Sequence, residues 1–387
     1  MFYFSSMSMT EKWSSSGMIL VYLSIIAIVA ISIVYRRMKT SYNLYLSILI
    51  YGFVLFNIIS ALAYSNISRL ISSLLFIILF ISNTIIIPSY FKNNTIKVFI
   101  YTFLFSQIPI ILIPMIIDGI ETPYSGAFIN TNSLGGVVIT IFSVTTALLF
   151  EEVEKIIYKK GNSMSKVIFY IAISLLLFTL TILTNSRTSF LTGLVVILVG
   201  LGILVSFSVK FKLFSNLISK AVILVPILGI LYYLFNLILP MNAFVQENII
   251  TKFERKSSDL LDGRGYLWQT TIKETGLFGN ADGYFIDNFS IGPHNTFIAI
   301  LGMYGWISLA IFVIFLLISV YYTFKYALNV DNQYRYLPIL MLTTFIMLSM
   351  GEGMLYKSSM LASFILIGIS ANNKTVIVSQ GHNMKGR

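Results

Sequence analysis

The chain contains no cysteine. That excludes disulfides and thiolate metal sites. It has only two histidines, His294 and His382. A structural zinc site, which draws its ligands from Cys and His, is not expected. Charge is scarce as well: 11% of residues are Asp, Glu, Lys or Arg, against about a quarter in soluble domains. No internal repeat, low-complexity linker or second domain is evident. Residues 1–17 carry one lysine and one glutamate. They lack the basic start and small-residue cleavage site of a signal peptide, so the first apolar run reads as a retained span.

In place of charge the chain has apolar length. Of its 387 residues 57% are hydrophobic, and the mean hydropathy is +0.86. Runs of about 20 apolar residues span a bilayer as helices, because lipid offers the backbone no hydrogen-bond partner. The expected fold is an all-α, polytopic membrane helix bundle of about 11–12 spans. The spans read as 17–35, 42–64, 70–90, 97–117, 133–150, 167–184, 190–208, 221–239, 306–325, 337–351 and 358–371. A further short apolar helix, 295–304, is either re-entrant or continuous with the span after it, with Gly302 and Gly305 allowing a bend. The whole of 1–387 is then one integral membrane domain, with one large loop at 240–293. Within that loop, 247–261 has the apolar period of an interfacial helix.

The net charge of +11 suggests nucleic acid in a soluble protein. Here the basic residues sit mainly in short loops between spans, so membrane lipids and orientation account for them and no nucleic-acid partner is expected. Alternation divides the 26 Lys and Arg into 17 in one set of loops and nine in the other. The richer set reads as cytoplasmic, which puts 240–293 and the N-terminus outside.

Several polar groups collect on that outer side. Arg187 lies in Asn185-Ser186-Arg187-Thr188-Ser189, a tight turn between two spans. Its planar guanidinium suits phosphate, or it snorkels to headgroups. Arg264 is flanked by Gly263 and Gly265, which permit close approach of a ligand or simply make a turn. Trp268 follows four residues later. It shares a face with Arg264 if the segment is helical, where it stacks on a sugar or anchors the loop. His294, in Pro293-His294-Asn295, opens an apolar helix. That place suits a base, a hydrogen-bonding group or a cap. Asn130 and Asn132 line a polar cavity or cap a helix. Glu352, between Gly351 and Gly353, is a site carboxylate or a solvated one.

The order of these pieces over residues 120–370 resembles the O-antigen polymerase and O-antigen ligase superfamily of membrane glycosyltransferases. The resemblance rests on Gly126-x-Phe-x-Asn130-x-Asn132-x-Leu134-Gly135, Ser186-Arg187, Arg264 with Trp268, the glycine-rich turn 276–283, and His294-Asn295 leading to Gly305. Asn130-Thr131-Asn132 stands where that family often has Asn-Pro-Asn. The resemblance implies a GT-C-like, metal-independent enzyme of the bacterial cytoplasmic membrane, with its active face extracytoplasmic and no cofactor. Donor and acceptor would be oligosaccharides on undecaprenyl diphosphate. Arg187 and Arg264 would bind the diphosphate, and His294 would assist the acceptor hydroxyl. Trp268, Asn295, Asn130, Asn132 and Glu352 would contact substrate. A flippase and a chain-length regulator would be neighbours in assembly. The function so implied is a capsule- or O-antigen-type polymerase. The alternatives are ligase-type transfer to another acceptor and, in another class, a polysaccharide or lipid flippase. Charges confined to span ends disfavour a transporter, which places them at the midplane.

Overall fold

The computed structural model describes residues 1–10, 14–34, 43–91, 95–119, 123–157, 164–210, 264–280 and 283–372, with isolated positions between 211 and 263. The expected span 221–239, the amphipathic stretch 247–261 and His382 lie outside the described residues. Among the described residues the chain is all-α, with two isolated β-bridges and no sheet.

The helices are α1 (Phe2–Met7), α2 (Ser14–Val34), α3 (Leu44–Ala63) and α4 (Ile67–Ile81), the last passing through a π turn, Ser82–Ile86, into α5 (Ile87–Phe91). Next come α6 (Thr95–Asp118), α7 (Thr131–Ile157), α8 (Met164–Leu183) and α9 (Arg187–Lys210). Then follow α10 (Arg264–Glu274), α11 (Tyr284–Phe289), α12 (Thr296–Leu328), α13 (Tyr336–Ser349) and α14 (Ser358–Asn372). Eight described helical segments are long and apolar enough to cross a bilayer, and Leu337–Ser349 and Ser358–Asn372 are shorter apolar helices. The protein is a multi-pass membrane helix bundle.

The core centres on α7. Its apolar window is 89% buried, against 22% for α2, so α7 is the axis and α2 a lipid-facing wall. Small residues let helices approach α7 closely, the usual device where lipid competes with apolar side chains. Gly135 faces Ser186 and Ser189 of the α9 turn, and Gly200 receives the ring of Phe150. Ser143 of α7 shares a 2.6 Å hydrogen bond with Thr344 of α13 inside the core.

Three elements settle or extend what the sequence offered. First, one boundary moves. Helix α7 continues to Ile157 rather than ending at 150. Its last turns carry Glu151, Glu152 and Glu154, which a hydropathy window rejects; Glu152 pairs with Lys155 of the same helix, and Glu151 and Glu154 find partners at 334–336. Arg335 Nε donates to Glu154 Oε2 at 2.9 Å, its Nη2 donates to the same oxygen, and the Tyr336 hydroxyl donates there at 2.7 Å. Second, of the two readings of 295–304, continuity with the next span holds: both lie in α12, which kinks at Gly305 (φ +88°, ψ −180°). A Cβ there would collide with the Leu277 carbonyl, so glycine is required on both counts. Third, residues 2–7, ahead of the first span, form a helix of their own that buries Phe2, Ser5 and Ser6. Phe2 packs on Phe99 and Phe103, and Ser6 donates to Gln107 of α6.

The connections gather at two ends. One end, hereafter the clamp end, joins 151–155, 327 and 334–336. The other, the site end, joins 60–64 to 278–279, 183 to 124, and 294–296 to 350–354.

Candidate functional site

The site end is built around the start of α12. Asn295 is its N-cap: Oδ1 accepts from the N–H groups of Phe297 (2.9 Å) and Ile298 (3.1 Å). Its Nδ2 donates to the Met350 carbonyl at 3.0 Å. Thr296 Oγ1 donates to the Glu352 carbonyl and accepts from Met354 N–H, both at 2.9 Å. These bonds stitch the 350–354 turn onto the helix start. Asn295, expected to contact substrate, is buried, and its amide is engaged within the protein, where it shapes the turn.

With Asn295 as cap, His294 is freed from capping. It stands one position earlier with φ +44°, a left-handed conformation that costs a non-glycine residue energy and recurs at functional sites. That twist aims the imidazole at the turn. His294 Nδ1 lies 3.2 Å from Glu352 Oε2. The histidine side chain is 39% exposed and the glutamate 18%. A proton on Nδ1 donated to the carboxylate leaves Nε2 as an acceptor. The structure thus joins two residues that the sequence offered separately.

Helix α10 reaches the same place. Trp268 Nε1 donates to the Pro293 carbonyl at 2.9 Å, bracing the residue before His294. Its indole packs with Leu267, Phe285 and Ile298. Arg264 opens α10 one turn before Trp268 and is half-buried. Arg187 is the first residue of α9 and is also half-buried. The next residue, Thr188, fills the space where Gly351 lacks a side chain, so the Arg187 turn abuts the Glu352 turn. Asn130 is exposed and caps α7, accepting from Ser133 N–H at 2.8 Å. Asn132 lines a cavity of about 40 Å³ with Ser133, Glu352 and Lys357. That volume suits an ordered water, not a sugar.

Lys357 was legible only as one more loop charge. It lies at this cavity beside Glu352 and is half-buried. Burial pushes its ammonium below the usual lysine range, and the Glu352 carboxylate partly opposes the shift. Arg69, likewise counted only for topology, is 5% exposed. Its Nη1 donates to the Asn280 and Met303 carbonyls at 2.6 and 2.8 Å. It ties the glycine-rich turn to the helix just before the Gly305 break. The Tyr64 hydroxyl donates to the Gly279 carbonyl at 2.8 Å and secures the same turn. One signal pointed there: Arg69 sits in the first turn of an apolar helix, where a lone cation needs a partner.

The arrangement offers an imidazole backed by a carboxylate, a cationic group on each of three converging elements, and amides at the rim. It occupies one end of a bundle whose middle is apolar. Comparison with models of known protein families finds no match, and no curated protein matches the chain.

Proposed function

We propose that the protein is a membrane glycosyltransferase that uses a polyprenyl-diphosphate-linked glycan, and within that class a capsule- or O-antigen-type polymerase acting at the outer face of a bacterial cytoplasmic membrane. The observation that carries this reading is the His294–Glu352 pair, 3.2 Å apart, with Thr188 beside Arg187 packed on Gly351 and Trp268 of the Arg264 helix hydrogen-bonded to Pro293. The acceptor hydroxyl attacks the anomeric carbon of the donor. The new carbon–oxygen bond forms as the bond to the diphosphate breaks, and the hydroxyl proton passes to His294 Nε2. Glu352 orients the ring through Nδ1. The diphosphate leaves with the electron pair and gathers charge that Arg187 and Arg264 stabilise. One displacement inverts the anomeric centre.

The test uses purified protein and a synthetic lipid-linked repeat unit, read on a chain-length gel. A ladder is expected. Arg187→Ala and Arg264→Ala should each reduce it by roughly 10- to 150-fold, the worth of a hydrogen bond to a charged group. Arg→Lys should rescue in part, because lysine lacks the planar fork. No ladder, with transfer to a different added acceptor, means a ligase. No covalent change, with lipid moved across a vesicle bilayer, means a flippase.

A further inference from the structure

A second feature lies away from this site, at the clamp end. Helices α6 and α8 splay apart over α7 and leave a cleft of about 1050 Å³. Its walls and floor are Ile108 and Leu112 of α6, Ile141 and Leu148 of α7, and Leu177 and Leu180 of α8. Polar groups enter it chiefly at the clamp end. There Lys97, Lys155 and Lys166 meet Glu151, Glu152 and the hydroxyls of Tyr101, Tyr170 and Tyr334.

Glu152 pairs with Lys155 at 2.8 Å. Glu151 Oε1 accepts the Tyr334 N–H at 3.3 Å, while its other oxygen is buried, turned away from the cleft solvent, and has no hydrogen-bond partner among the described residues. Lys97 and Lys166 are exposed and form no ion pair among the described residues. The cleft mouth therefore presents two available cations, one on each wall. The apolar part has a matching length. From Lys97 to Leu112 is fifteen residues of helix, roughly 22 Å at 1.5 Å per residue. Half a bilayer with its headgroups is about 20–22 Å deep. A long apolar slot with cations at one rim complements an acyl chain that carries a phosphate.

We propose that the α6–α8 cleft binds one anionic glycerophospholipid in the leaflet at the clamp end, its tail along α7 and its phosphate between Lys97 and Lys166. This site is separate from the His294 end and does not depend on the reaction assigned there. Bound lipid would wedge α6 and α8 at a fixed spacing over the central helix.

The test is native mass spectrometry of the purified full chain with equimolar phosphatidylglycerol and phosphatidylcholine of identical acyl chains. One phosphatidylglycerol should be retained, preferred by roughly tenfold or more given two basic residues at the headgroup. The double variant Lys97→Ala/Lys166→Ala should lose the preference while still holding lipid. Leu176→Trp, which fills the cleft from a partly exposed wall position and keeps both lysines, should lose bound lipid of either kind. Equal retention of the two lipids by the wild type overturns the proposal, as does an undiminished preference in the double variant. If the double variant does not fold, Leu176→Trp decides alone: phosphatidylglycerol held at the wild-type ratio overturns the cleft as its site.

Discussion

The two ends of the bundle use the same residue types for opposite purposes. At the clamp end Arg335 is 1% exposed and surrounded. It donates to Glu154 through Nε and Nη2 and to the Ala327 carbonyl through Nη1, and its guanidinium lies 3.8 Å over the Phe207 ring. The Tyr336 hydroxyl completes the shell of Glu154. At the site end Glu352 meets His294 through a single contact, both side chains are partly exposed, and the backbone beneath His294 is twisted into positive φ. One carboxylate takes three donors on a single oxygen and ties α7 to the start of α13. The other keeps capacity in reserve. A charge whose partners are complete supports the fold; a charge whose partners are incomplete is available to a substrate.

That contrast predicts different costs for similar lesions. The largest effect is expected at the clamp. Arg335→Ala leaves Glu154 charged and largely enclosed, and breaking one side of a buried pair costs about 3–5 kcal/mol. Folded protein in membranes should fall sharply, measured by size-exclusion recovery and thermal unfolding. Replacing both partners with apolar residues of similar volume should recover much of the loss. Normal melting of Arg335→Ala would remove the distinction between the ends.

At the site end the lesion should appear in turnover and not in stability. His294→Ala should lose about 10²–10⁴-fold in polymer formation, the usual contribution of a positioned base. Its melting temperature should be little changed, because the Asn295 cap remains and alanine keeps the same positive-φ backbone. Glu352→Gln should act in between, since an amide oxygen can still accept from Nδ1–H but carries no charge to favour an imidazolium. Wild-type turnover in Glu352→Gln would leave Glu352 as a structural turn residue.

Gly305→Ala comes next. It puts a side chain at φ +88° and into the Leu277 carbonyl. Backbone strain of this kind costs about 1–3 kcal/mol. The turn held by Arg69 and Tyr64 must shift, so both stability and turnover should fall together. A loss of stability with turnover intact would show that the glycine-rich turn does not support the site.

The contrast also explains what could be read from the sequence. Spans were legible because lipid leaves a helix no choice, and the expected boundaries of α3, α6 and α8 lie within three residues of those observed. The end of α7 was not, because Glu154 is tolerated only through Arg335, 181 positions away. The break at Gly305 was half legible: glycine announced a bend, but the Leu277 carbonyl that requires it comes from another element. The site residues His294, Glu352, Arg187 and Arg264 stood out as polar groups at span ends. Their pairing did not, since His294 and Glu352 are 58 positions apart and meet through the stitching of Asn295 and Thr296. Arg335 looked like an ordinary headgroup charge, and Lys357 like another; full burial sets Arg335 apart, and its place at the Glu352 cavity sets Lys357 apart.

Lys357 gives the smallest expected effect and the sharpest test of the comparison. Burial lowers the pKa of its ammonium, whereas Glu352 raises it, and burial is the larger influence. The folded state therefore holds this proton less firmly than the unfolded state does. Below the folded pKa both states are charged and the fold bears the whole penalty. As pH rises from there towards the ordinary value of 10.5, the folded state loses the proton first and wild-type stability increases. Lys357→Met keeps the chain length and removes the charge. Its melting temperature should exceed the wild type's at neutral pH, by about 1 kcal/mol or less in stability, and the advantage should shrink as pH rises through that window. In a Glu352→Gln background the advantage should grow, because the opposing carboxylate charge is gone. Turnover should fall in Lys357→Met if the cation faces the diphosphate. Thermal unfolding at pH 7 and pH 10 for the four proteins of this cycle measures the prediction. A Lys357→Met variant less stable than wild type at neutral pH would mean that Lys357 is as fully paired as Arg335, and the site end would then be a second clamp.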